Sequence, residues 1–384
     1  MPTLPIMMMV SRPHHLFGLL IAFLIAGTLA CTPKASNEIR IGAAGPMTGD
    51  QSKMGTDLRH GVELAVEEWN AKGGVLGKKV VLQVEDDQHD PKQAVAVANK
   101  FVHSGAVGVI GHWNSSASIP ASGVYHQAKV VMITPASTNP QLTEQGFPTI
   151  FRVCGRDDQQ GPVAARFVRE RFPTGAVAIL HDKTTYGQGL AEQFQHALGP
   201  DAKIAFSSGV TQGDKDFRAV LTTVKSAKPD VIFFGGIYPE AGLLVRQARE
   251  LGLTAPFVSG DGTYDQKFLE IAGPAAEGTF LTFGPDPSGI PQAQTFLTKY
   301  HERFGQHGPY SIYAYDAANA LLSAIVQANT TDGTNVAEAI RAMTHSGAQG
   351  EIRFDAKGDV LNAPYIVWTV KNGAYEQSWT PGAS

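Results

Sequence analysis

From residue 38 onward, short apolar runs alternate with longer stretches whose apolar positions recur at helical spacing. The runs begin with IRIGAAG (39–45), VVLQVEDD (80–87), VGVIGH (107–112) and VVMITP (130–135). A second set follows: AVAILHD (176–182), KIAFSSGV (203–210), DVIFFGG (230–236) and APFVSGD (255–261). Between them the spacing predicts helices over 55–72, 91–104, 158–171, 187–198, 239–252 and 291–304. Strand–helix alternation means βαβ units and parallel sheets. The alternation occurs twice, with about four units each time, so the expected fold is α/β, two doubly wound parallel-sheet lobes. FRVCGRDDQQGP (151–162) reads as the first junction, and the Pro- and Gly-rich GPDPSGIP (284–291) as the second. Helices over 310–328 and 334–344 and strands in GEIRFDAKGDV and APYIVWTVKNGAYEQ (363–377) follow. A tail of this length is expected to return to the first lobe and cross once more, making a multi-strand hinge. The expected bounds are 38–156 plus 286–362 for one lobe and 157–285 plus 363–384 for the other.

The first thirty residues do not fit that alternation. Arg12 is the only Lys or Arg there, followed by the apolar run LFGLLIAFLIAGTLA (16–30) and then Cys31. This is the pattern of a secretory leader, and it is shorter than the roughly 20 apolar residues of a membrane span. Ala30-Cys31 suits lipidation of Cys31 as a mature N-terminus, although Thr28 and Leu29 depart from the usual Leu and small residue before such a cysteine. TPKASNE then reads as a tether, so 31–37 is expected to lie outside the fold.

Composition narrows the function. The chain has 384 residues, 43% of them hydrophobic, with a formal net charge of −4 and its basic residues dispersed. That argues against nucleic acid as a partner. Cys154 is the only cysteine besides Cys31, so with Cys31 acylated no internal disulfide forms. Cys154 lies in an apolar run and is expected to be a small buried hydrophobe.

In open α/β sheets ligands bind beyond the carboxyl ends of the strands, so the chemistry is sought there. Gly42, Gly45 and Gly49 lack the spacing of a dinucleotide fingerprint, and the second strand ends in the cluster Glu85-Asp86-Asp87. GHWNSSASIPAS (111–122) crowds Ser115, Ser116 and Ser118 after a strand. Those hydroxyls suit a helix cap, an anion cradle or a nucleophile. The glycine spacing of a G-x-S-x-G elbow is missing, which leaves a hydrolase using Ser115 as a remote alternative. ASTNPQLT (136–143) supplies a second hydroxyl turn, with Ser137 and Thr138 able to donate to the same anion. Three strand ends in the other lobe carry Tyr186, Tyr238 and Asp261; a carboxylate beside aromatic rings suits an ammonium group. EDDQHD (85–90) is acidic, but Asp90-Pro91 reads as a helix cap followed by proline, not as a metal site. His112 and His181 end strands in different lobes, and no nucleophile–base pair emerges. No cofactor and no metal are expected, and no enzymatic activity.

Six segments in order, DDQHDPKQAVAVANKFV (86–102), VIGHWNSSASIPAS (109–122), MITPASTNPQLT (132–143), FRVCGRDDQQGPVAA (151–165), HDKTTYGQGLAE (181–192) and GGIYPEAGLLVRQAR (235–249), resemble the branched-chain amino-acid-binding proteins of ABC uptake systems. These are type I periplasmic binding proteins, and the resemblance spans about 38–376. It implies an amino acid held between two closing lobes, no catalysis, an ABC transporter membrane permease as partner, and a monomer in the periplasm or cell envelope, touching the membrane only through the lipid. By position, Ser115 and Thr138, with backbone near Trp113 and Ala136, would hold the carboxylate. Asp261, helped by Tyr186, would hold the ammonium. Tyr238, Met54 and either Tyr310 or Tyr313 would line the side-chain region, while Ser118 is expected to be dispensable. Leucine-type members usually carry Glu at the Asp261 position and smaller groups at Trp113-Asn114, and some carry a disulfide near that turn. Receptors of this kind also bind amides, urea or aromatic acids, or serve sensing, and remain alternatives.

Overall fold

The computed structural model describes residues 37–173 and 175–382. The expected leader, Cys31 and all of the tether except Asn37 lie outside the described residues.

Two sheets organise the chain. The first contains β1 (Glu38–Gly45), β2 (Lys79–Asp86), β3 (Gly108–Ile110), β4 (Val131–Thr134) and β5 (Ile150–Arg152) in the order β2-β1-β3-β4-β5, all parallel. Its crossovers are α1 (Ser52–Ala71), α2 (Pro91–His103), α3 (Ser115–Gln127) and the single turn α4 (Gln141–Glu144). The second contains β6 (Val177–His181), β7 (Ile204–Gly209), β8 (Val231–Gly235), β9 (Phe257–Ser259) and β10 (Phe280–Phe283). Its helices are α5 (Asp157–Arg171), α6 (Thr185–Leu198), α7 (Arg218–Ala227), α8 (Tyr238–Glu250) and α9 (Gln266–Ala272). The chain then runs through α10 (Gln294–Phe304), α11 (Ser311–Ala328) and α12 (Gly333–Ala342), which pack on the first sheet and on α1, and through the small hairpin β11 (His345–Gly347) and β12 (Gly350–Ile352). It returns as β13 (Ile366–Lys371) and β14 (Ala374–Trp379), giving β14-β13-β10-β9-β8-β6-β7. The connections β5–α5, β10–α10 and β12–β13 therefore pass between the two sheets.

The strands form because both faces are covered. β3, β4, β8 and β9 are buried at every position, as parallel strands sandwiched by helices must be. Asp90 caps α2 as its sequence suggests, accepting from the N–H groups of Lys92 and Gln93 at 2.8 Å with Pro91 at the first helical position. Cys154 is buried and free, and burial pushes its thiol far above the usual range.

Three expectations change. β5 and β10 extend both sheets beyond four units; β5 hides because its third residue is the charged Arg152. The second sheet ends in an antiparallel hairpin, so it is not purely parallel. GEIRFDAKGDV holds only the short strand β12 and isolated bridges.

Both sheets reverse strand order at one place, between β1 and β3 and between β6 and β8. A crevice opens at such switch points. The segments at issue, after β3 and β4 in one lobe and after β6, β8 and β9 in the other, lie at or next to them.

Candidate functional site

The first wall is the hydroxyl turn after β3. Gly111 has φ +137° and packs so close to β1 that a Cβ would lie 2.3 Å from the Ala44 carbonyl oxygen, so only glycine turns the chain here. Asn114, not Ser115 or Ser116, occupies the cap position of α3, and it makes no side-chain cap bond; its amide donates instead to Gln51 Oε1 at 2.9 Å. Ser115 is the first helical residue, and its hydroxyl accepts the Asn139 N–H at 3.2 Å. The two hydroxyl turns are thus tied together, and the helix-cap reading of the serines falls. Thr138 is fully buried and its hydroxyl has no hydrogen-bond partner. Ala136 is buried, its N–H directed at the Thr134 hydroxyl at 3.2 Å. Trp113 is buried with its indole N–H unpartnered, and its ring meets Tyr310 edge-on at 5.4 Å.

Ser137 departs from expectation, and Ser118 is its partner. Their hydroxyls bond each other at 2.6 Å, and they also reach the backbone oxygens of His112 and Trp113, at 3.1 Å from Ser118 and 3.0 Å from Ser137 respectively. Ser137 therefore fixes the turn and is not an open donor to an anion, and Ser118 is not idle. Ser118→Ala is expected to lower stability by about 1 kcal/mol, the loss of one buried hydroxyl pair, because the His112 carbonyl oxygen keeps the Thr134 hydroxyl at 2.7 Å; urea denaturation indistinguishable from wild type would show that the pair contributes nothing.

The second wall is the carboxylate after β9. Asp261 opens a single 3₁₀ turn and is buried. Tyr186, in the first turn of α6, donates to its Oδ1 at 2.8 Å and accepts the Gly262 N–H at 3.0 Å. Tyr310, preceding α11 on the first-sheet side, donates to its Oδ2. Burial raises the Asp261 carboxyl, while the Tyr310 and Tyr186 hydroxyls oppose the rise. Both phenols are themselves pushed well above their usual range by burial and by the Asp261 charge, so they stay protonated donors. Tyr310 therefore anchors the carboxylate, where the sequence placed it in a side-chain lining.

The Tyr238 hydroxyl donates to the Asp50 carbonyl oxygen at 2.6 Å, joining α8 to the loop before α1. Met54 is buried in the same apolar cluster as Trp113, Tyr186, Tyr238 and Tyr310. Other bonds close the two lobes on each other. Asn139 Nδ2 donates to the Thr185 carbonyl oxygen at 2.8 Å, and Gln212 Nε2 lies 2.9 Å from His89 Nδ1. Lys215 pairs with Asp50 at 2.6 Å, where solvent screens it. Behind Tyr310, between the connecting segments, is a cavity of about 100 Å³ bordered by Cys154, Phe283, Tyr313, Ala363 and Tyr365.

Asp157 was not anticipated. It is fully buried at the start of α5, its N–H donates to the Thr138 carbonyl oxygen at 2.9 Å, and neither carboxylate oxygen has a hydrogen-bond partner. The strand-end rule applies to it as well, since GRDDQQG follows β5; that strand's charged end concealed the signal. Among the described residues no group of His, Cys, Asp and Glu has the arrangement of a metal site.

A family model described as periplasmic binding protein matches residues 38–374. The chain belongs to this family. Among curated members, a Leu/Ile/Val-binding protein homolog of Brucella abortus is 43% identical over 338 residues, 88% of this chain and 91% of that protein. A leucine-, isoleucine-, valine-, threonine- and alanine-binding protein of Pseudomonas aeruginosa is 40% identical over 361 residues, 92% and 95% of the two chains. The crystal structure of a leucine-binding protein from Thermotoga maritima superposes with a TM-score of 0.83 at 32% identity, covering 89% of this chain and 99% of that one. The two-lobed α/β architecture is thus that of a periplasmic binding protein, and proteins of this family capture solutes.

Proposed function

We propose that this periplasmic binding protein captures a free amino acid with an aliphatic side chain, branched-chain amino acids foremost, and presents it to an ABC permease. The observation that carries the reading is the pairing of Asp261, buried and held by two tyrosine hydroxyls, with the orphaned Thr138 hydroxyl and the Ser115 hydroxyl. A zwitterion answers both halves. Its ammonium pairs with Asp261, and its carboxylate takes the hydroxyls and the N-terminus of α3. Trp113, whose ring meets Tyr310, gives the site an apolar border, consistent with an aliphatic side chain. A neutral amide or an aromatic acid would leave the Asp261 charge buried without a cation, which is costly. The names of the relatives point the same way. Export by the leader 1–30, lipid attachment at Cys31 and action as a monomer belong to the same proposal.

The test is a thermal-shift screen of the purified protein against amino acids, amides and small aromatic acids. Binding to the native state alone stabilises by mass action, by about 4 kcal/mol at a thousandfold excess over Kd. Leucine, isoleucine and valine are expected to raise the melting temperature. A rise confined to amides or aromatic acids would keep the fold and sink the amino-acid assignment.

A further inference from the structure

The geometry points to Asp157 as a second ligand-contacting carboxylate, so that two acids converge on one cationic group and a proton leaves the protein when that group enters. This rests on the amino-acid reading above and extends it. An aspartate in the first turn of a helix ordinarily accepts backbone N–H bonds. Here that task falls to Gln159, whose Oε1 accepts the Arg156 N–H at 3.0 Å, and both Asp157 oxygens are left without a donor. The residue is fully buried, and its backbone is bonded to Thr138, whose own hydroxyl is also without a partner. An unpaired acid and an unpaired hydroxyl in one buried place, beside Asp261, are polar groups arranged for a partner that is not part of the chain.

The surroundings fix the direction of the proton traffic. Burial, and next the Asp261 charge, push the Asp157 carboxyl well above the usual carboxylate range. Asp158 on the same helix adds to the rise, while Arg152 from β5 and the Thr138 hydroxyl, close by but short of hydrogen-bond geometry, oppose it. Tyr186 from α6, Tyr365 ahead of β13 and the Cys154 thiol also face this charge, and all three are held in their protonated forms. None of them supplies a compensating cation. The free pocket therefore holds at least one proton on its two carboxyls at pH values where exposed acids have lost theirs. A bound ammonium favours both carboxylates, so the proton goes to solvent. By linkage, affinity rises with pH above the ordinary carboxylate range until the free pocket has itself lost the proton.

The experiment is titration calorimetry with leucine in buffers of different ionisation enthalpy, for the wild type and for Asp157→Asn, with melting of both proteins in the absence of ligand. The wild type is expected to release a fraction of a proton up to one, and log Kd should fall with pH with a matching slope. Asp157→Asn is expected to fold, to bind at least tenfold more weakly, and to lose most of the proton release. Wild-type Kd and wild-type proton release in that variant would overturn the inference; so would tighter binding without release, since the acid would then only repel. If the wild type binds no amino acid but does bind another solute, the failure lies in the amino-acid reading and takes this inference with it. If Asp157→Asn does not fold, Asp157→Glu replaces it. A longer arm on a contact changes both Kd and proton release, and a variant with neither altered overturns the assignment.

Discussion

Asp261→Asn is expected to weaken amino-acid capture severely while leaving a folded, two-lobed protein. The amide would keep nearly the shape of the carboxylate side chain, and its carbonyl oxygen can still accept from Tyr186 or Tyr310, which now reach the two carboxylate oxygens. What disappears is the negative charge proposed to meet the ligand ammonium. Removing one member of a desolvated, hydrogen-bonded ion pair in an interface costs about 2–5 kcal/mol, much of it because the other charge is left buried and unpaired. That corresponds to a loss of about 30-fold to several thousand-fold in Kd. Stability should move in the opposite direction. Without ligand the Asp261 carboxyl is raised by burial and has no cation of its own, so exchange for a neutral amide is expected to leave the ligand-free melting temperature unchanged or higher. Calorimetry with leucine and a ligand-free melt together decide the matter. A Kd within threefold of wild type would remove Asp261 from the ammonium site.

The reach of the sequence can be followed residue by residue. The strand-end positions of Ser115, Thr138, Tyr186 and Asp261 were legible because each follows a largely buried strand that reads as an apolar run. Once the strands are found, the switch-point rule does the rest. Asp157 obeys the same rule and was missed, because β5 ends in a buried arginine and does not look like a strand. The division of labour among the hydroxyls was not legible at all. Ser115, Ser118, Ser137 and Thr138 offer the same chemistry in the sequence, and only packing assigns Ser118 and Ser137 to each other and leaves Thr138 open. The hydroxyl partners of Tyr238 and Tyr310 were not legible for a related reason. A phenol presents a ring and a hydroxyl, and the sequence cannot say which end meets the cleft. In the structure the hydroxyls reach across it, to Asp50 and to Asp261.

Arg152→Met is expected to cost about as much as any single change outside the cleft, and to weaken ligand binding although Arg152 is not among the groups proposed to touch the ligand. The guanidinium is fully buried. Its Nε donates to Asp359 Oδ1 at 2.5 Å, Nη1 to the Ser137 carbonyl oxygen at 2.7 Å, and Nη2 to the Asn139 carbonyl oxygen at 3.1 Å and to the Thr143 hydroxyl at 2.9 Å. Those two carbonyls flank Thr138, so one side chain sets the backbone of the second hydroxyl turn and ties it to the segment leading back toward β13. Methionine fills much of the volume but donates nothing. Asp359 would keep Arg156 at 2.5 Å and the Asn139 carbonyl oxygen would keep the Leu142 N–H at 3.3 Å, whereas the Ser137 carbonyl oxygen would be left with only the weak Cys154 thiol donor at 3.7 Å. Breaking a buried ion pair from one side destabilises by about 3–5 kcal/mol, which should appear as a large drop in the urea midpoint. Arg152→Lys should not restore it, since a point charge cannot span the four acceptors that the planar fork meets. A midpoint equal to wild type would mean that the turn holds itself. The ligand measurement then separates two kinds of residue. Asp261→Asn should lose binding at unchanged stability, and Arg152→Met should lose both together, because it disturbs the turn that carries the Thr138 hydroxyl and that holds the backbone of Asp157.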